Sequence, residues 1–319
     1  MTTLADLAEL VRAPAALSVP GDVIAGAAAA GALSPRTPAL AGASVLLYWA
    51  GMAANDWSDR GLDAEERPER PIPSGRVTPA AAVGLAAGLT AAGVGLAAAV
   101  GGRRAAALAV PLAATIWGYD LLAKNTAAGP AVMAACRGLD VLLGASGGRM
   151  SRALPAAATV AAHTWTVTAL SRREVTGADA TLPMRTLAGT ALVATSAVVA
   201  VPGARHAARR TAKPAGATDR AETVDETGGR AGRSRSATIA ALLPAVLAGW
   251  YAARYGAAQA EVVRDPSAGR VRAAVGAGIT GLPALQGALT ARGGAGLLGV
   301  AVAAAAPLGR RLARKVSPT

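Results

Sequence analysis

The run PAAAVGLAAGLTAAGVGLAAAV, residues 79–100, carries no charge in 22 residues. As a helix it measures about 33 Å, enough to cross the roughly 30 Å hydrocarbon layer of a bilayer. Working outward from it, nearly charge-free windows recur at 15–33, 38–55, 105–122, 127–146, 153–170, 186–202, 237–253, 273–291 and 293–309. The first contains Asp22, which weakens it as a span. The last two are parted only by Arg292 and Gly293, a tight hairpin or one broken element. The pattern predicts an all-α fold: a polytopic membrane bundle of nine or ten transmembrane helices, forming one domain over residues 1–319.

Composition agrees with this. Of 319 residues 53% are hydrophobic and only 16% charged, against about 25% charged in an ordinary soluble domain. Mean hydropathy is +0.38. A disordered chain would be poorer in apolar residues. The single cysteine, Cys136, excludes an internal disulfide framework and a cysteine-rich zinc site. The net charge of +13 is spread over loops instead of gathered on one face, which argues against a nucleic-acid partner. The 38 glycines, the many alanines and the absence of Phe suit close helix approach in lipid, where packing replaces the hydrophobic drive. Biased genomic composition explains part of the alanine excess. The start MTTLADLAEL lacks the basic region of a cleaved signal peptide, so the first span is expected to act as its own insertion signal.

Lys and Arg counted over alternate loops set the orientation. The N-terminus and the loops at 56–78, 123–126, 171–185, 254–272 and the C-terminus hold 17; the other set, without residues 203–236, holds 6. The first set is therefore expected in the cytoplasm, and the protein in the plasma membrane as a multi-pass chain. Segment 203–236 adds eight basic residues to the outer side. It reads as a disordered, solvated insertion.

The chemistry stands after the second span, in NDWSDRGLDAEERPERPIPSGR, residues 55–76. On a continuous helix Asp56, Asp59 and Asp63 fall at about 0°, 300° and 340°, within one stripe, with Asn55 at its edge. Carboxylates so placed repel each other at the mouth of a bilayer. Magnesium relieves this: it takes one or two carboxylates, keeps waters, and completes its shell with substrate phosphate. Arg67, Arg70 and Arg76 follow, able to meet remaining phosphate charge through forked hydrogen bonds. Pro68, Pro71 and Pro73 keep that part extended. The plainer reading, a loop facing water, does not account for spacing, depth and basic flank together.

Asn55-Asp56-x-x-Asp59-x-x-x-Asp63 followed by Arg70-Pro71-Ile72-Pro73-Ser74-Gly75 resembles the first signature of the UbiA-type intramembrane prenyltransferases. The resemblance implies a UbiA-like helical bundle of about nine spans, with the first acidic loop between spans two and three on the cytoplasmic side. It implies an Mg²⁺-dependent transfer of a prenyl group from an allylic prenyl diphosphate to an electron-rich, lipophilic acceptor in the bilayer. By the same analogy the loop after span four carries a basic residue, here Lys124 in Tyr119-Asp120-Leu121-Leu122-Ala123-Lys124, which serves as a diphosphate contact or as a positive-inside anchor. Arg137 and Asp140 lie within the fifth span, where ionisable residues mark function by default; they are substrate contacts, or they pair with each other three residues apart.

The family's second signature has two carboxylates four apart. Here Glu174 and Asp179 are five apart in Ser171-Arg172-Arg173-Glu174-Val175-Thr176-Gly177-Ala178-Asp179. An ideal helix separates them by about 140°, so they share a metal only if Gly177 breaks the helix. The departure suggests a subgroup such as the EboC-like bacterial proteins. The residues implied are Asp56, Asp59 and Glu174 for catalysis; Asp56, Asp59, Asp63, Glu174 and Asp179 for metal; and Asn55, Arg70, Lys124, Arg137, Asp140 and Arg172 for substrate. Glu174 alternatively deprotonates the acceptor. Few aromatic faces are available to an allylic cation: Trp57, Trp117, Tyr119, Trp165 and Trp250. His163, in mid-span six, reads as a buried histidine bonded to a neighbouring helix, and Glu261, Arg264 and Asp265 as a solvated loop. Two other classes remain open at this point. One is a soluble class I terpene synthase, against which the uncharged 79–100 run argues. The other is a transporter or scaffold with a non-catalytic motif, for which no repeated halves are visible. Acceptor, tail length and oligomeric state are not legible.

Overall fold

A computed structural model describes residues 2–13, 18–179, 181–199 and 226–305, with the backbone alone for 226–240. The described residues form helices and turns, with no strand. In chain order they are α1 (Leu4–Leu10), α2 (Pro20–Ala30), α3 (Thr37–Ser58), α4 (Arg60–Glu66), α5 (Pro79–Gly118), a π-turn (Tyr119–Ala123), α6 (Gly129–Gly144), a 3₁₀ turn (Ala145–Gly147), α7 (Met150–Ser171), α8 (Thr181–Val198), α9 (Glu226–Arg264), α10 (Ala268–Arg292) and α11 (Gly296–Ala305). Within the described residues, each of the ten apolar windows overlaps a helix or an arm of one. Thr37–Ser58 and Pro79–Ala123 are individually long and apolar enough to cross a membrane.

The deciding stretch is the first arm of α5. Gly102, at φ 66° and ψ −160°, interrupts that helix, a conformation open to glycine because it has no Cβ. The chain reverses there. The first arm passes Leu47 at Gly93 and reaches Leu40 at Gly101, and the second returns until Ile116 packs on Gly51. Both arms therefore run along α3, burying Ala97, Ala105, Ala109, Leu112 and Ile116 with Leu40 and Leu47. Elsewhere, small residues bring backbones together as the composition implied. A Cβ at Gly26 would strike the Val141 carbonyl, and one at Gly144 the Val23 carbonyl, so α2 and α6 lie nearly in backbone contact. A second core joins α6, α7, α8, α9 and α10 around Val160, Leu170, Tyr251, Tyr255, Leu285 and Leu289.

The loops sort onto two faces. Arg76 pairs with Asp6 and Glu9, tying the N-terminal segment to the 56–78 loop. Lys124 pairs with Asp59, Arg172 donates to the Thr126 carbonyl, Arg272 donates to the Glu174 carbonyl, and the Ala178 amide donates to the Pro266 carbonyl. These contacts link every described member of the Arg-rich loop set into one surface. On the other face Arg149 donates its amide to the Ala30 carbonyl, and Arg292 donates to the Ser196 carbonyl. The alternation used for counting charge is thus a real sidedness of the molecule.

Two expectations change here. Residues 203–225 of the expected disordered insertion lie outside the described residues, whereas 226–236 form the N-terminal part of α9. Trp165 and Trp250 point outward, 41% and 39% exposed, so they do not line an interior cavity. The large interior aromatics are Tyr48, Tyr251 and Tyr255.

Candidate functional site

α3 delivers Asn55 and Asp56 at its C-terminal end, and α4 carries Asp63. The helix is not continuous between them. Asp59, at φ −86° and ψ 1°, separates α3 from α4, so the expected single stripe is divided. Its outer members still converge: one Arg70 guanidinium nitrogen lies 2.6 Å from Asp63 Oδ2 and 3.4 Å from Asp56 Oδ1. Asp59 turns instead to Lys124, with Nζ–Oδ1 at 2.5 Å. Asp56 and Asp63 are 4% and 2% exposed. Buried carboxylates require nearby opposite charge, and Arg12 supplies a further one, 2.6 Å from Asp56 Oδ1.

The loop after α5 closes the site from the side. Its π-turn, a local unwinding common at functional positions, places buried Asp120 where it accepts a hydrogen bond from Asn55 Nδ2 at 3.1 Å. Ser58 Oγ donates to the Asp120 carbonyl at 3.4 Å. Lys124 thus bridges two loops far apart in sequence. Trp57 and Trp117 sit in the apolar layer beneath, with Trp49, Ile72 and Val77.

The second acidic segment is arranged differently. Gly177, at φ 80°, does break the helix, but Glu174 and Asp179 then take separate paths. Asp179 Oδ1 accepts hydrogen bonds from the Thr181 amide, the Thr181 hydroxyl and the Leu182 amide. It caps α8, and those bonds hold its carboxyl below the ordinary range. Glu174, partly buried, is pushed the other way by burial. Among the described residues no three His, Cys, Asp or Glu side chains gather as a metal cage.

Arg137 and Asp140 do not pair with each other as the spacing allowed. Arg137 Nε lies 2.7 Å from Asp22 Oδ2, and its ring-facing guanidinium sits over Tyr48, 5.5 Å from the centroid. Gln286 Nε2 donates to Asp22 Oδ1 at 2.6 Å and to the Ser18 carbonyl at 2.7 Å. Asp140 accepts from the Ser44 hydroxyl. This buried network explains why Asp22 is tolerated in an apolar window: it is the counter-charge of Arg137. His163, as expected, is buried and bonded across to α9, with Nδ1 2.8 Å from the Tyr251 hydroxyl. Arg264 and Asp265 are exposed and Glu261 partly so; of the three only Asp265 lies in the expected loop, because Glu261 and Arg264 close α9 and pair with each other at 2.5 Å.

Sequence reasoning passed over Arg12, Asp120, Asp22 and Gln286 as site or network members. Asp120 had a signal, an acid directly beside the expected diphosphate loop. Arg12 had none beyond its charge.

The arrangement can neutralise and hold an oxyanion ligand. Asp56, Asp59, Asp63, Asp120 and Asn55 offer only hard oxygen donors, the chemistry magnesium prefers. The missing three-carboxylate cage is no obstacle, since magnesium uses one or two carboxylates together with phosphate. Arg12, Arg70 and Lys124 now occupy the carboxylates and are basic groups suited to phosphate.

The model of the UbiA prenyltransferase family matches residues 18–204. Digeranylgeranylglyceryl phosphate synthase of Methanothrix thermoacetophila is 42% identical over 80 residues, covering 24% of this chain and 30% of the relative. That of Natronomonas pharaonis is 44% identical over 85 residues, covering 26% and 31%. The chain thus spans under a third of the length of these relatives in the matched stretch. A solved structure described with the biosynthesis of digeranylgeranylglyceryl phosphate synthase in membranes superposes with a TM-score of 0.58 at 15% identity, covering 91% of this chain and 98% of that one. The apo structure of a UbiA homolog from Aeropyrum pernix K1 gives 0.54 at 18% identity, covering 89% and 96%. At these identities the structures show a shared fold.

Proposed function

Because the chain belongs to the UbiA prenyltransferase family, we propose that it transfers a prenyl group from an allylic prenyl diphosphate to an electron-rich, lipophilic acceptor inside the membrane, with Mg²⁺ at the acidic loop. The observation carrying this reading is the convergence of Asp56 and Asp63 on Arg70, with Asp59 on Lys124. It is a cluster of oxygen donors, Asp56 and Asp63 buried and Asp59 partly solvated, interleaved with basic groups suited to phosphate. Two relatives matched over part of their length are named digeranylgeranylglyceryl phosphate synthase, which supports a prenyl donor and a lipid-like acceptor.

Asp56, Asp59 and Asp63, with Asn55, hold the metal in this reading. Bound there, Mg²⁺ supplies positive charge to the departing diphosphate. The chain's own residues do the rest. Arg70 and Lys124 turn from carboxylates to phosphate oxygens and stabilise charge as the carbon–oxygen bond breaks. Asp120 orients Asn55. The apolar layer of Trp49, Trp57, Ile72 and Trp117 keeps water from the allylic carbon. Glu174, raised by burial, is the partly buried carboxylate of the second acidic segment and takes the acceptor's proton in this reading. Arg172 binds the Lys124 loop through the Thr126 carbonyl and so sets the position of Lys124. Asp179 is assigned to the α8 cap, and Arg137 and Asp140 to support of the bundle. This reading takes nine or ten crossings with the Arg-rich face in the cytoplasm; the 17 to 6 charge asymmetry and the sidedness of the loops support that orientation.

The test is product formation. Membranes containing the protein are incubated with prenyl diphosphates of graded length and with phenolic and glyceryl lipid acceptors, and products are read by mass spectrometry. A prenylated acceptor is expected with at least one donor. No product with any pair, from protein shown to be folded, defeats the reading.

A further inference from the structure

Bases counted alone favour the face of the acidic motif, but bases and acids counted together reverse the balance. Among the described side chains, the loops of that face hold 13 basic and 13 acidic residues. The opposite face holds six arginines and no carboxylate. One of the six, Arg292, is engaged by the Ser196 and Val199 carbonyls at the end of α8. The other five are Arg36, Arg103, Arg104, Arg149 and Arg152, four of them exposed and Arg152 half-buried. None of their guanidiniums meets a partner among the described residues. Where they bond outside the helices it is by the backbone amide: Arg36 to Ser34 Oγ, Arg149 to the Ala30 carbonyl and Arg152 to the Arg149 carbonyl.

Packing gathers these five onto one rim. They sit on three turns: 31–36 ahead of α3, the reversal of α5 at 101–104, and 145–152, where α7 begins. The last turn touches both others. On one side a Cβ at Gly148 would stand 2.5 Å from the Ala30 carbonyl oxygen, and one at Gly147 3.7 Å from Ala32. On the other side a Cβ at Gly101 would stand 3.5 Å from Ser146 Oγ and 3.4 Å from Leu40, which lies one turn into α3 from Arg36. α3 and α7 both start at this rim, and neither N-terminus has a side-chain cap. Their first-turn amides add to the positive field. Each guanidinium stands at the end of an apolar helix, the depth at which headgroups lie in a bilayer.

We propose that this rim binds the headgroup of an anionic phospholipid, in the leaflet opposite the acidic motif. Five like charges on one rim repel each other, and an anion between them removes that cost. All five are arginine, whose planar fork gives a phosphodiester two parallel hydrogen bonds. The lack of carboxylates selects the headgroup. Choline or ethanolamine would bring an ammonium group with no described counter-charge on this face. A headgroup ending in hydroxyls leaves the phosphate charge free for the arginines. Such juxtamembrane basic clusters attract anionic lipid. The inference needs the bundle to lie in a bilayer and does not depend on the prenyl-transfer reading.

The experiment uses the full chain in detergent micelles, titrated with phosphatidylglycerol or phosphatidylcholine, with bound lipids counted by native mass spectrometry. The wild type is expected to hold phosphatidylglycerol roughly tenfold or more tighter than phosphatidylcholine. The triple variant Arg36→Gln, Arg103→Gln and Arg104→Gln should lose phosphatidylglycerol affinity by about fivefold per guanidinium removed. Its melting temperature without added lipid should hardly change, because these side chains touch no described partner. The same three positions changed to Lys keep the charge without the fork and should fall between; they serve alone if the Gln variant does not fold. Arg173→Gln, Arg264→Gln and Arg270→Gln remove the same charge from the other face and should leave the affinity unchanged. Equal losses in the two Gln triples would mean attraction to net charge alone and overturn the proposal. So would a wild type without preference between the lipids. Displacement of phosphatidylglycerol by excess inorganic phosphate at fixed ionic strength would show a site for free anions and overturn the lipid as occupant.

Discussion

Replacing Arg137 by Met should cost more stability than replacing Arg137 and Asp22 together. Arg137 Nε is 2.7 Å from Asp22 Oδ2, with the arginine 7% and the aspartate 0% exposed. Removing the guanidinium leaves a carboxylate in the bundle core with Gln286 as its remaining side-chain partner. Breaking a buried pair from one side costs about 3–5 kcal/mol, because the surviving charge is uncompensated. Loss of the stacking over Tyr48 adds about 1 kcal/mol. In the double variant Arg137→Met with Asp22→Asn the orphan charge is gone, and Asn still accepts from Gln286. That variant should lose only about 1–2 kcal/mol, since apolar replacement of a buried pair is often near neutral. The assay is thermal unfolding of detergent-solubilised wild type, both single variants and the double. At about 2–4 °C per kcal/mol, Arg137→Met should melt on the order of 10 °C lower, with most of that recovered in the double. Equal losses in the single and the double would mean that Arg137 is not held by Asp22. A normal melting temperature for Arg137→Met with lost substrate binding would return Arg137 to the substrate.

Lys124→Met should weaken diphosphate binding by about tenfold while lowering stability by no more than about 1 kcal/mol, because the Asp59 it releases is partly solvated; an unchanged affinity in a binding titration removes Lys124 from the site. Asp179→Ala should cost about 0.5–2 kcal/mol through loss of the α8 cap and leave the Mg²⁺ requirement of turnover unaltered; a shifted Mg²⁺ dependence at normal stability would give Asp179 a metal role instead. The cap bonds from Thr3 and the charge of Arg76 lower Asp6 from 3.8 to about 2. A depressed carboxylate stabilises its folded surroundings above the unfolded value and loses that contribution as pH falls through the folded one. Docking of α1, followed by protease sensitivity near its end, should therefore hold at pH 5 and fail between about pH 4 and 2, and Asp6→Asn should abolish that pH dependence.

The bundle was legible because it rests on local sums. A charge-free run such as 79–100 has only one economical conformation in lipid, and alternate-loop charge reproduces which loops share a face. The acidic site was legible in its membership but not its geometry. Asp56, Asp59 and Asp63 fit one helical stripe only if the helix continues, but it breaks at Asp59, whose side chain pairs with Lys124 from a loop 65 residues away. Long-range partners account for the other differences. Arg137 and Asp140 look like a local pair, yet Asp22 and Ser44 reach them from α2 and α3. Asp179 looks like a ligand from spacing, but its proximity to the first amides of α8 makes it a cap. The outward Trp165 and Trp250 could not be told from interior aromatics, because helices this rich in alanine carry little contrast between faces.

Pyrophosphate release by membranes given an allylic prenyl diphosphate and acceptor tests the central claim most directly, with wild type compared against Asp56→Asn combined with Asp59→Asn, each with Mg²⁺ and with chelator. Release is expected from wild type with Mg²⁺ alone, and to fall by about a hundredfold or more in the double variant. Release that survives chelation, or that the double substitution leaves unchanged, would contradict the assignment of this acidic loop as the catalytic centre.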